Sequence, residues 1–153
     1  MGTLKPGQGG QPNQNGRQAT VGSFKDGPQN SWFASAVQYV TSSSLMNGTS
    51  ATAFSPSANM SRGMLMTVLA RYAGESTEGG TVWYEKGMNW AKNKGISDGS
   101  APNRNITCEQ LAAMLYRYAG EPDGAADLSA YTDAGPVSAY AEQAVQWCVK
   151  NGI

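Results

Sequence analysis

The chain has 153 residues, 40% of them hydrophobic and 14% charged, with 19 Gly and 7 Pro, a composition that fits one turn-rich globular domain and excludes a charged coiled coil. Eleven Lys and Arg balance eleven Asp and Glu, so no global field draws nucleic acid or an acidic membrane surface, and any ligand must be recognised locally. The absence of His removes the usual general base near neutral pH and the commonest metal ligand, and Cys108 and Cys148 lack both CxxC spacing and a His partner, so no metal, no cofactor and no catalytic centre is expected.

Residues 1–22 run through KPGQGGQPNQNGRQ without apolar periodicity and read as a flexible linker. They contain no apolar signal-peptide core, so an export signal is expected upstream of this sequence, and no stretch approaches the ~20 apolar residues that cross a bilayer, so no membrane insertion is expected. Folded structure is expected from SFKD at Ser23–Asp26 onward. SWFASAVQYVTSSSLMNG, from Ser31, reads as a helix carrying Trp32, Val37 and Tyr39 and ending at an Asn47-Gly48 turn. MSRGMLMTVLARYAGE, from Met60, reads as a second helix with Ser61 as N-cap, Leu65, Val68, Leu69 and Tyr72 at helical spacing, and Gly74 at the end.

The pattern then recurs. VWYEKGMNWAKNKGISDG, from Val82, repeats the first helix with Trp83, Met88 and Trp90, followed by an Asp98-Gly99 turn. ITCEQLAAMLYRYAGE, from Ile106, repeats the second helix, with Thr107 and Gln110 in capping-box spacing, Leu111, Met114, Leu115 and Tyr118 as the stripe, and the pentapeptide RYAGE identical to that at Arg71–Glu75. AYTD at Ala130–Asp133 echoes SFKD, and AYAEQAVQWCVKNGI repeats the first helix once more with Tyr140, Val145 and Trp147. The copies divide at 23–77, 78–127 and 128–153, the last holding only the first half. Helix pairs of this kind cannot hide their apolar faces alone, which points to one all-α domain of stacked helix-loop-helix repeats.

The ordered elements SFKD, WF, LMNG, AFSP and MSRG in copy one, WY, GISDG and ITCEQ in copy two, and AYTD with Tyr140 in copy three resemble the S-layer homology family over roughly residues 23–153. The resemblance implies a pseudo-threefold helical bundle, with the third repeat incomplete, whose inter-repeat grooves bind anionic secondary polysaccharides of the bacterial cell wall, often pyruvylated. It implies an extracellular, non-catalytic anchor at the cell wall or cell surface. The family's Arg in the T-R-A-E element is matched by Arg62, preceded by Ser61; in copy two Thr107 is followed by Cys108, and copy three has no such element.

Arg62 is therefore the expected anion grip, since a guanidinium beside a helix N-terminus suits a carboxylate. Trp32, Trp83 and Tyr140 are expected either to wall the grooves with sugar-facing rings or to pack in the core. Asp26 and Asp133 are expected to bond to nearby backbone or to a sugar hydroxyl, and Asn47 and Gly48 to form a turn whose backbone donors reach ligand. Trp90 and Trp147 are expected to be structural. Cys108 and Cys148 either bridge copies two and three or leave Cys148, in the register place of Ala91, as a small buried apolar residue. Asp98 with Glu109 is read as solvated, not as a hydrolytic pair. A second reading makes the chain a docking module, self-associating or completed by a partner helix, because the helix of copy three lacks a partner in the sequence.

Overall fold

The computed structural model describes residues 24–26, 31–132 and 135–153. The linker read at 1–22 and Asp133 lie outside the described residues. The described residues form an all-α protein: α1 Ala34–Ser42, α2 Arg62–Tyr72, α3 Glu85–Asn93, α4 Cys108–Tyr118 and α5 Glu142–Lys150.

Two kinds of helix alternate, distinguished by how they start. α2 and α4 begin at side-chain caps: Ser61 Oγ accepts the Met64 N–H at 3.2 Å, and Thr107 forms a full capping box with Gln110. α1, α3 and α5 have no side-chain cap at Phe33, Tyr84 and Ala141, and grow out of a turn closed by Ala34 N–H to Ser31 O in α1, by Glu85 N–H to Val82 O in α3 and by Ala141 N–H to Ser138 O in α5. Gly74 and Gly120, at φ +83 and +85, take the left-handed conformation just beyond α2 and α4 that ends a helix without a Cβ penalty.

The helices that touch come from different copies of the sequence repeat. α2 packs on α3 and α4 on α5. The larger core joins Leu65, Met66 and Leu69 of α2 to Met88 and Ala91 of α3, with Ile96 and Met114, and Trp90, Leu111, Leu115 and Tyr118 pack around it. A smaller core joins Ala112 and Ala113 of α4 to Ala144 and Cys148 of α5, with Tyr116, Val145 and Trp147 against it. Each fully buried large aliphatic there contributes about 1.5–3 kcal/mol. The α4 stripe of Leu111, Met114, Leu115 and Tyr118 faces the larger core as the spacing predicts, whereas in α2 Leu65 and Leu69 are in the core but Val68 is half-buried and Tyr72 exposed, with Met66, Ala70 and Arg71 inside instead. The helix of copy three is not the uncovered one either, because α4 covers it. Among the described residues it is α1 that no other helix packs on.

Contact between α2 and α3 is close enough to require glycine. A Cβ on Gly87 would stand 2.7 Å from Thr67 Cα and 2.8 Å from Thr67 N, so the backbones meet without a side chain between them. Thr67 is itself held by its Oγ1 donating to Gly63 O at 2.8 Å.

Arg71, in the repeated RYAGE, is the most buried cation among the described residues. Its Nη1 donates to Leu45 O at 3.0 Å and its Nε to Thr77 Oγ1 at 3.0 Å, while Nη2 is buried without a partner among the described residues. Arg117 does the same in copy two, reaching Ile96 O at 3.3 Å. In both copies the arginine ends one helix by holding the carbonyl that follows the other.

Candidate functional site

The N-terminal end of α2 is built by two segments far apart in sequence. Ser61 caps the helix, and the chain from Ser97 to Ile106 lies across its start: Arg62 N–H donates to Arg104 O at 2.9 Å, Gly63 N–H to Pro102 O at 2.8 Å and Ile106 N–H to Met60 O at 3.0 Å, beside an antiparallel bridge between Ser61 and Asn105. Orphan donors of the first helical turn are satisfied in this way by backbone rather than solvent. On that frame the Arg62 guanidinium is fixed at three points, with Nε on Ser100 O at 3.1 Å and Nη2 on Ser97 Oγ at 3.3 Å and on Asp98 Oδ1 at 2.9 Å.

The Arg62 side chain is 12% exposed and that of Asp98 is 68% exposed. Asp98 also accepts the Ser100 N–H and hydroxyl, and these bonds, the backbone one foremost and Arg62 after them, hold its carboxyl below the usual aspartate range. The arginine is thus aimed and partly neutralised by the same loop. Its Nε and Nη2 edge is filled, and among the described residues Nη1 carries no bond. An incoming carboxylate would meet a rigid guanidinium at Nη1, or displace Asp98 to take both edges.

The matching end of α4 has a different chemistry. Thr107 caps it and Cys108 stands exposed where Arg62 stands in α2. Glu109 next to it accepts the Ser138 N–H at 3.0 Å, the Ser138 hydroxyl at 3.1 Å and the Tyr140 hydroxyl at 3.1 Å. The Ser138 backbone bond first, then the two hydroxyls, lowers the Glu109 carboxyl from its ordinary value, while burial and then Glu109 raise the Tyr140 phenol. Cys108, Glu109, Leu128, Tyr131, Val145 and Ile153 help line a cavity of ≈ 400 Å³. It presents a carboxylate and apolar walls, the opposite polarity to the Arg62 end.

The remaining candidates scatter. Asp26 accepts the Phe54 N–H at 2.9 Å and the Ser55 N–H at 2.7 Å, which holds its carboxyl below the usual range. With the edge-on Phe24–Phe54 ring pair at 5.5 Å, these bonds clamp Phe24–Asp26 onto Phe54 and Ser55. Asn47 and Gly48 are buried, and a Cβ on Gly48 would fall 2.7 Å from both Ala53 O and the Phe24 ring, so they lie inside this clamp. Trp32 is 93% exposed and leans edge-on against Phe33, a pairing that Trp83 and the half-buried Tyr84 reproduce. Trp83 is half-buried; Tyr84 touches the start of α2, since a Cβ on Gly63 would lie 3.1 Å from Tyr84 Cβ. Trp90 lies against Tyr118 in the larger core and Trp147 against Tyr116 in the smaller.

Both cysteines are free, so the bridge between copies two and three is absent: Cys148 is buried against α4 in the register place of the buried Ala91, while Cys108 opens α4 toward solvent. The structure therefore groups Ser61 and Arg62 with Asp98, and Thr107, Cys108 and Tyr140 with Glu109. Asp98 and Glu109 were read as solvated carboxylates, and their partners lie 36 and up to 31 residues away, beyond the reach of any local pattern. The one sequence signal for a structural cation was the twofold RYAGE, whose Arg71 and Arg117 do the same work.

The family model described as S-layer homology domain matches residues 23–63, the stretch from the clamp at Asp26 through Arg62 and Gly63. An endoglucanase of Bacillus sp. (strain KSM-635) is 30% identical over 150 residues, a match that takes in 88% of this chain and 16% of that protein. The chain thus spans about one sixth of the length of the relative it matches, and that relative's name describes a far larger protein. Residues 23–63 belong to the S-layer homology family, whose members are non-catalytic modules anchoring proteins at the cell surface.

Proposed function

We propose that this chain tethers a larger protein to the bacterial cell wall by binding an anionic secondary wall polysaccharide, with Arg62 as the grip for its carboxylate. A pyruvyl ketal is the carboxylate the family resemblance suggests. The observation that carries this reading is the three-point fixation of Arg62 at the capped start of α2, which among the described residues leaves Nη1 unbonded beside a helix N-terminus. Ser61 holds that helix end, and Trp83 is the nearer of the two tryptophans in sequence to the Tyr84 that lies against it. The copies at 23–77, 78–127 and 128–153 work as one body in this reading. The α4 end, with Thr107, Cys108 and Tyr140 around an ionised Glu109, contributes little to anion binding because Cys108 opens that helix where Arg62 opens α2.

The test is retention of the purified chain on cell walls before and after chemical removal of the acidic polymer. Retention is expected to fall at least tenfold on polymer removal and in Arg62→Ala, since a charge-assisted contact is worth about 1.5–3 kcal/mol. Asp98→Asn, which removes the competing carboxylate, is expected to strengthen it, and Cys108→Arg to add a second site. Equal retention on stripped walls, or by a folded Arg62→Ala, refutes the reading.

A further inference from the structure

Copy two of the repeat has Cys108 where copy one has Arg62, and Arg104 where copy one has Ala58. The fold delivers Arg104 to the start of α2 rather than to its own helix. Its C=O accepts the Arg62 N–H at 2.9 Å and its N–H donates to Ala101 O at 3.1 Å, so its backbone is held on both sides. The antiparallel bridge of Ser61 and Asn105 sets the register: the flanking pairs, Met60 with Ile106 and Arg62 with Arg104, share the face opposite to Ser61 and Asn105. Met60 and Ile106 fit that register, since both pack on the larger core. Arg62 and Arg104 therefore stand across from each other, with Cβ atoms about 5.5 Å apart. Two cations so placed repel one another and weaken the bridge that holds them. Asp98 offsets Arg62 through Nη2, but Arg104 is exposed, and among the described residues its guanidinium has no hydrogen bond or ion pair. An anion between the two arginines relieves the repulsion and meets donors whose backbones are already fixed.

We propose that Arg104 is the second cation of the Arg62 site, and that one carboxylate of the wall polymer is shared between them, one oxygen on Arg62 Nη1 and the other on the Arg104 guanidinium. This rests on the reading of Arg62 as the grip for the polymer and adds the group that sets ligand class. A pair of cations selects an anion with two free oxygens, whereas a neutral sugar hydroxyl leaves the repulsion between the arginines in place. Copy two thus contributes to anion binding through its loop, at the end of α2, and not through the start of α4.

The test is the dissociation constant of the full chain on cell walls that carry the acidic polymer. Arg104→Gln is expected to weaken binding about three- to fivefold, the effect of one exposed ion pair, and Arg104→Lys to recover most of the loss. Lys150→Gln, the same loss of charge at the exposed last turn of α5, is expected to leave binding unchanged. Because the Arg104 side chain carries no bond, Arg104→Gln should melt at or above the parent temperature, which separates lost binding from lost fold. Two arginines that share one carboxylate are coupled, so in an Arg62→Ala background Arg104→Gln should cost almost nothing. Equal weakening by Arg104→Gln in both backgrounds, or by Lys150→Gln, would make Arg104 part of a diffuse surface field and overturns the proposal. Weakening by Arg62→Ala with none by Arg104→Gln also overturns it and leaves Arg62 as the grip, whereas a folded Arg62→Ala that binds like the parent overturns both readings.

Discussion

Replacing Gly87 by alanine probes the contact on which the larger core depends. The new Cβ would stand 2.7 Å from Thr67 Cα, 2.8 Å from its N and 2.9 Å from its Oγ1, where relaxed contact needs roughly 3.5–4.0 Å. Two of those atoms are helix backbone, and Thr67 is 1% exposed with its hydroxyl tied to Gly63 O, so the neighbour cannot swing aside. Alanine gains about 0.8–1 kcal/mol of helix propensity over glycine, against overpacking that costs about 1–3 kcal/mol and more when backbone must move. The clash is expected to win, for a net loss of about 1–2 kcal/mol, which at about 2–4 °C per kcal/mol lowers the melting temperature by about 2–8 °C. Thermal unfolding followed by circular dichroism measures this. Ala36→Gly, at the same register position on the open face of α1, should cost only the propensity difference of about 1 kcal/mol. A Gly87→Ala protein that melts at or above the parent would show that α2 and α3 do not meet as closely as described.

Arg71→Ala leaves Leu45 O and Thr77 Oγ1 without their donor and empties a buried site, so a loss of about 2–4 kcal/mol is expected in denaturant unfolding, while Arg71→Met, which refills the volume, should recover part of it. A result in which the two variants are equally harmful would assign the whole effect to the hydrogen bonds. With thiol reagents, Cys108 should label in the native protein and Cys148, buried and with its thiol pKa raised by desolvation, only on unfolding; equal native reactivity would contradict the α4–α5 packing. Asp26, Asp98 and Glu109 all have depressed carboxyl pKa values in the fold, so the stability they contribute is complete above the ordinary carboxylate range and drains away as pH falls through it and below. The melting temperature is expected to drop between about pH 5 and pH 2, with a shallower fall in Asp26→Asn; identical acid profiles for the two proteins would remove the Phe24–Asp26 clamp from the account.

What the amino-acid order determined by itself is local. The caps at Ser61 and Thr107, the terminating Gly74 and Gly120 and the all-helical class were legible because each rests on residues three or four positions apart, within reach of a single turn. The resemblance to the S-layer homology family was likewise carried by short ordered elements. Periodicity showed that each helix had an apolar face but not what would cover it, since a stripe is the same whichever neighbour meets it. Only the tertiary structure set α2 on α3 and α4 on α5, and so moved the open face from the helix of Tyr140 and Trp147 to that of Ala36 and Tyr39. Arg62 could be picked from the sequence, but its restraint by Asp98 and Ser100, 36 and 38 residues on, could not, because a charge finds its partner through the path of the chain in space and the intervening turns leave no local trace of it.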